Sequence, residues 1–178
     1  PNVSVRIGDL RDEEAAAAKV REGHCEVVFS YLPVTGGGVS TVELGTHDWW
    51  LVFPPGTPLP AADPLPLSAL PDIPLVIVPK GSSQRARVER ALSAAGKRTR
   101  PSAIVQQREA ALSLVFAGLG ATVAERGMAQ RARERGAEVR AISPALTSTY
   151  GVVYAPSGLT PAGEAFLQVA YETACPGD

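Results

Sequence analysis

The stretch LVIVPKGSSQRARVERALSAAGKRTR, residues 75–100, constrains the fold more than any other part of the chain. It opens on an unbroken apolar run, Leu75, Val76, Ile77 and Val78, and breaks at Pro79-Lys80-Gly81. An apolar run of that length, rich in β-branched side chains, reads as a buried strand. Beyond the break, Val88, Ala91, Leu92 and Ala95 fall at i, i+3, i+4 and i+7, which sets them on one face of a helix. Ser82 and Ser83 are the natural N-caps, because a short hydroxyl can accept from the orphan N–H groups of a first turn, and Gly96 supplies the left-handed stop. A buried strand feeding a capped helix leaves free amides and the positive end of the helix dipole at the carboxyl edge of a sheet. Open α/β proteins bind ligands there, anions above all. The stretch therefore predicts an α/β domain organised around a small-molecule site.

The flanking sequence extends that architecture. Val3, Val5 and Ile7 alternate with polar residues as a half-buried strand, and Asp12-Glu13-Glu14 followed by alanines and Val20 reads as a helix with acids in its first turn. Residues 26–32 form a second strand ended by Pro33, so the opening is a βαβ unit, which implies parallel strands. Residues 42–53 (VELGTHDWWLVF) are extended and aromatic. The prolines from Pro54 to Pro66 then exclude regular structure, apart from a turn of helix at 67–70. After the central strand and helix come a strand at 102–106 and a helix marked by Leu112, Val115, Phe116 and Leu119. A brief strand at 121–124, a polar helix at 127–135 and a strand at 138–142 follow. Residues 147–155 are extended again, and Thr160-Pro161 opens a last helix with Phe166, Val169 and Ala170 on one face. The two long extended segments bracket the middle of the chain. They predict two lobes, residues 1–47 with 152–178 and residues 48–151, and a ligand site in the cleft between them.

Composition excludes several classes of function. A net charge of −1 gives no general affinity for nucleic acid or anionic membranes. The charge is uneven, with 13 basic and 5 acidic side chains between Lys80 and Arg140, and the remainder acidic. That pattern fits two lobes attracting across a cleft, or, with more weight, arginines solvated on helix faces. Cys25 and Cys175 stand far apart with no CxxC, as expected of free thiols in a reducing cytoplasm. No apolar run reaches membrane-spanning length, and His24 and His47 have no partner at metal-ligand spacing. No GxSxG or HExxH is present, so neither catalysis nor a metal or other cofactor is expected. The chain opens on Pro1 and its single methionine is Met128, which suits a trimmed fragment as well as a chain that has lost its initiator.

The segments PNVSVRIGD, VREGHCEVVFSYLP, LVFPPGTPL with PLSALPDIPLVIVPKGSSQRARVERALSAAGKR, EAALSLVFAGLGATVAERG and TYGVVYAPSGLTPAGEAFLQVA occur in this order. Together they resemble the effector-binding domain of LysR-type transcriptional regulators, a domain with the fold of type 2 periplasmic binding proteins. The resemblance covers nearly the whole chain. It implies two Rossmann-like α/β lobes joined by two extended crossover strands, and a small, anionic effector in the cleft between the lobes. Family members begin with a DNA-binding helix-turn-helix, absent from this chain, and with a further strand and helix before the PNVSV segment. The first lobe therefore reads as truncated at its N-terminus. Carried over position by position, the effector ligands are Gly8, Asp9, Tyr31, Pro33, Val34, Lys80, Gly81, Ser82, Ser83, Gln106 and Gln107. Plainer roles compete: helix caps for the serines and Gln107, a solvated Lys80, a core-edge Tyr31, and Trp49-Trp50 as filling at the lobe junction. The resemblance further implies a cytoplasmic, homo-oligomeric parent that touches DNA only through its missing domain, and no membrane. A free-standing solute-binding protein of the same fold is the alternative, and an enzyme on that fold the third choice.

Overall fold

The structure is a computed structural model that describes residues 15–174. The strand expected at 3–7, Gly8 and Asp9, the acidic helix start at 12–14 and Cys175 lie outside the described residues. The chain forms two compact units. Among the described residues the first unit runs up to Thr46 and resumes at Thr149, and the second is His47–Ser148. Two long strands, β2 (Ser40–Phe53) and β7 (Glu138–Tyr154), each begin in one unit and end in the other.

In the first unit a short helix α1 (Ala15–Arg21) turns Ala16, Ala17 and Val20 inward. Small side chains let it lie close to β1 (Val27–Tyr31), where Val28, Val153 and Ala155 complete a cluster covered by Cys25, Leu32, Val34 and Val39. β1 pairs antiparallel with the end of β7, Val27 opposite Tyr154 through to Tyr31 opposite Tyr150. β7 in turn lies between β1 and β2. That approach is close at Gly151, where a Cβ would meet the carbonyl of Val42. The last helix, α5 (Pro161–Ala174), starts as the sequence predicts, since the Thr160 hydroxyl accepts from the Gly163 amide at 3.2 Å. Its expected apolar face is largely exposed, however, and Phe166 meets Phe29 edge-on at 6.1 Å between ring centres.

In the second unit β4 (Leu75–Ile77) is the central strand, as the apolar run requires. It pairs in parallel with β5 (Pro101–Ile104) and bridges through Leu75 to Ala121 at the start of β6 (Thr122–Glu125). β6 pairs antiparallel with the end of β2, Trp49 opposite Glu125. A two-residue strand β3 (Leu65–Pro66) adds to β7 at Ile142 and Ser143, and the expected helical turn follows at Leu67–Ala69. Helices α2 (Ser83–Ala94), α3 (Arg108–Phe116) and α4 (Arg126–Glu134) connect the strands. α3, α4, β2 and β7 close over a core of Val52, Leu112, Val115, Ala124, Ala129, Ala132, Ala137 and Val139. Trp49 is buried within this unit and donates from Nε1 to Ser148 Oγ at 2.8 Å, while Trp50 lies beneath the guanidinium groups of Arg126 and Arg133.

Two local readings are corrected. The strands expected at 138–142 and 147–155 are one strand, β7, unbroken by Pro144. Proline removes one donor but keeps an extended φ, and pairing resumes on either side, at Ile142 with β3 and from Tyr150 with β1. The other is the serine cap expected at α2, which does not form. Helix stops, by contrast, follow the glycines. α2 ends with the Gly96 amide on Ser93 O and the Lys97 amide on Leu92 O, a Schellman closure that needs the positive φ of Gly96. α3 and α4 close in the same way at Gly118 and Gly136.

Candidate functional site

The parallel pairing of β4 and β5 brings the residues after both strands to one carboxyl edge, with the Val105 amide still bonded to Ile77 O at 2.9 Å. Lys80 to Ser83 leave that edge from β4, and Gln106 and Gln107 leave it from β5. Gly81 takes a φ of +95°, and Ser82 follows in extended conformation as the N-cap residue of α2. Ser83 is the first residue inside the helix.

Neither serine is a side-chain cap. The Ser82 hydroxyl makes no cap hydrogen bond, and Ser83 Oγ is buried with no partner. What holds the turn is Arg85, a side chain only 8% exposed. Its Nη1 donates to Val78 O at 3.2 Å, tying the end of β4 to the first turn of α2, and its Nε reaches Glu89 at 2.8 Å. Helix geometry leaves the amides of Ser83, Gln84 and Arg85 without intrahelical acceptors. No acidic side chain stands in that first turn to offset the dipole. Lys80 and Gly81 are exposed beside it. Both Gln106 and Gln107 are exposed, and Gln107 occupies the N-cap position of α3 without a side-chain cap bond. The edge thus presents free donors and an uncompensated positive pole, with adaptable amides on the neighbouring strand.

The remaining expected ligands are in the first unit. Tyr31 is buried at the end of β1, Pro33 is exposed just beyond it, and Val34 packs against that unit's core. Among the described residues no group of His, Cys, Asp and Glu is placed to hold a metal ion, and no helix is long and apolar enough to cross a membrane.

Sequence reasoning missed a feature beneath α2. A cavity of about 30 Å³ lies between β4, α2, α3 and β6, walled by Leu75 to Val78, Val88, Ala111 and Met128. Gln84, Arg85, Glu89, Thr99, Thr122 and Glu125 give it polar edges. Gln84 is 6% exposed. Its Nε2 donates to Val123 O at 3.1 Å, and its Oε1 is buried without a partner. The signal was present in the helical phase. Gln84 and Arg85 share the face of Val88 and Leu92, at offsets of 3, 4, 7 and 8 residues, so their inward direction follows from the same wheel that located the apolar stripe.

The family model for the LysR substrate binding domain matches residues 1–174. Among curated proteins, a probable hydrogen peroxide-inducible genes activator of Mycobacterium avium is 29% identical over 127 residues, 69% of this chain and 40% of that protein. The chain thus spans less than half the length of the curated relatives it matches. Among solved structures, the regulatory domain of Synechocystis PCC6803 CcmR in complex with 2-PG aligns with a TM-score of 0.79 at 15% identity, over 92% of this chain and 80% of that one. The effector binding domain of QuiR in complex with shikimate aligns with a TM-score of 0.80 at 13% identity, over 93% of this chain and 79% of that one. At such identities the structural matches speak for the fold.

Proposed function

The chain belongs to the LysR substrate binding domain family, and from that premise we propose that it is the ligand-sensing regulatory domain of a LysR-type transcriptional regulator whose effector is a small anion bound at the N-terminus of α2. One observation carries the reading. The first turn of a 12-residue helix presents unsatisfied amides, with Lys80 alongside and no acid in the turn, and the Ser83 hydroxyl is buried behind them without a partner. The amides of such a pole donate charge-assisted hydrogen bonds to a carboxylate, sulfate or phosphate. Gln106 and Gln107, leaving the same edge, supply further donors. Gly8, Asp9, Tyr31, Pro33 and Val34 stay as expectations of the family resemblance, Gly8 and Asp9 lying outside the described residues. In the parent protein DNA is contacted by a separate helix-turn-helix domain, the assembly is a cytoplasmic homo-oligomer, and the effector is bound without turnover.

The curated relatives are probable hydrogen peroxide-inducible genes activators, and a response to peroxide in this chain would need a reactive thiol. The residues here favour the anion. The second unit contains no cysteine, Cys175 lies outside the described residues, and burial pushes the Cys25 thiol above its ordinary range, an effect only partly opposed by Lys19. A thiol held protonated is a poor nucleophile toward an oxidant.

Calorimetric titration with sulfate, phosphate, acetate and shikimate tests the reading. Lys80→Gln and Ser83→Ala should each weaken anion binding several-fold, while Arg100→Gln, which removes an exposed charge paired with Asp72, should not. Equal affinities in all four proteins would place the anion elsewhere.

A further inference from the structure

We propose, resting on the anion reading above, that the cavity beneath α2 is a subsite for a hydroxyl group of the effector, so that small hydroxy-carboxylates are selected over their plain counterparts. The argument starts from Gln84. Its side chain is more than nine-tenths buried, its Nε2 is engaged by Val123 O at 3.1 Å, and its Oε1 faces no donor. Exchanging the two ends of the amide would bring two acceptors together at Val123 O, so the orientation is fixed by that bond. A buried acceptor without a donor is costly, and natural interiors rarely leave one. The guest that meets this atom must donate a hydrogen bond.

Size and charge narrow the guest further. A cavity of about 30 Å³ has room for about two water-sized groups and none for a ring. The walls from Val76, Val88, Ala111 and Met128 accept a methylene, while Glu89 and Glu125 at the edges disfavour a second anionic oxygen. An ammonium would carry its own burial cost, which a neutral hydroxyl avoids. Thr122 already gives its proton to Val76 O at 2.9 Å, so its hydroxyl does not satisfy Gln84. A hydroxyl, alone or on one carbon, therefore fits best. Gln84 belongs to the same first turn whose amides receive the anion, so the two functions sit within about one helical turn of each other, roughly 5 Å. A carboxylate and a hydroxyl one or two carbons apart match that reach.

The test uses matched pairs of probes, acetate with glycolate and propionate with 3-hydroxypropionate, titrated by amide chemical-shift changes. In the wild type the hydroxylated member of at least one pair should bind about tenfold more tightly, the worth of one good hydrogen bond to a buried acceptor. Gln84→Leu should bring that ratio, taken between the two members of a pair within the same variant, close to one. Should Gln84→Leu fold poorly, Ala111→Val narrows the cavity from α3 without touching the Val123 bond, and it should shrink the ratio as well. If the plain acids bind and both pairs show equal affinities in the wild type, the subsite is overturned and the anion site stands. If no carboxylate binds, or binding ignores Lys80→Gln, the anion reading fails and the subsite falls with it.

Discussion

Replacing Arg85 by methionine and by alanine separates what its charge contributes from what its stem contributes. Nε lies 2.8 Å from the Glu89 carboxylate, a separation at which unit charges attract by roughly 6 kcal/mol at an effective dielectric of about 20. Against this stands the removal of a guanidinium from water, several kcal/mol, and the partner Glu89 is 41% exposed and still solvated. The two terms nearly cancel. Methionine abolishes both, keeps most of the stem volume, and loses the bond to Val78 O, about 1–2 kcal/mol. Alanine also removes the two buried methylenes Cγ and Cδ at about 0.8 kcal/mol each and enlarges the cavity it lines, so its total is about 3–4 kcal/mol. Urea unfolding followed by tryptophan fluorescence is the assay, because both tryptophans, Trp49 and Trp50, lie in the second unit and report on that unit alone. The expected result is a modest loss for Arg85→Met and a loss at least twice as large for Arg85→Ala. Equal losses would mean that the charged head group, and not the packing of the stem, carries the contribution of Arg85, and the cancellation of Coulomb gain against desolvation would be wrong.

Three further outcomes follow from single contacts. Thr160→Ala removes the hydroxyl bonded to the Gly163 amide and should cost about 0.5–2 kcal/mol, seen as faster hydrogen exchange in the first turn of α5; unchanged exchange would refute the cap. Glu26 accepts from the Thr160 amide at 2.7 Å, and that backbone bond, then the Thr160 side chain, holds its carboxyl below the ordinary 4.5. Because its folded value is the lower one, its stabilisation is fully present above pH 4.5 and lost as pH falls through the folded value. Circular-dichroism melts between pH 7 and pH 3 should therefore be less acid-sensitive in Glu26→Gln, and an identical pH slope would count against the contact. Gly120→Ala forces a Cβ into the Pro74 carbonyl at a φ of +147°, where Pro74 O also accepts from the Ala121 amide. It should destabilise the second unit by more than about 2 kcal/mol in the same urea assay, and a smaller loss would mean the β4 edge yields.

The parts of this fold legible in the sequence were those decided within a few residues. A β-branched run with no polar interruption fixed β4, and glycines marked the ends of α2, α3 and α4, although Leu119, expected in α3, falls beyond its end at Phe116. Thr160-Pro161 is local in the same sense, and its cap forms as expected. What escaped was decided by partners distant in sequence. Pro144 looks like a break when read alone, but β3 and β1 supply pairing on either side of it and β7 runs through. The serines of α2 fit the capping rule, yet Arg85 reaches Val78 O with a charged donor, and the Ser83 hydroxyl is left buried without a partner. The apolar stripe of α2 was read from its hydrophobic members, whereas the side chains that characterise the site, Gln84 and Arg85, are the polar ones on that same face. A buried polar side chain has to be hydrogen-bonded or waiting for a partner. Arg85 is the first case and Gln84 Oε1 the second. A polar residue at a core-phase position beside a ligand edge is therefore a better pointer to binding than the exposed lysine next to it, because solvent already satisfies the lysine and nothing among the described residues satisfies the amide oxygen.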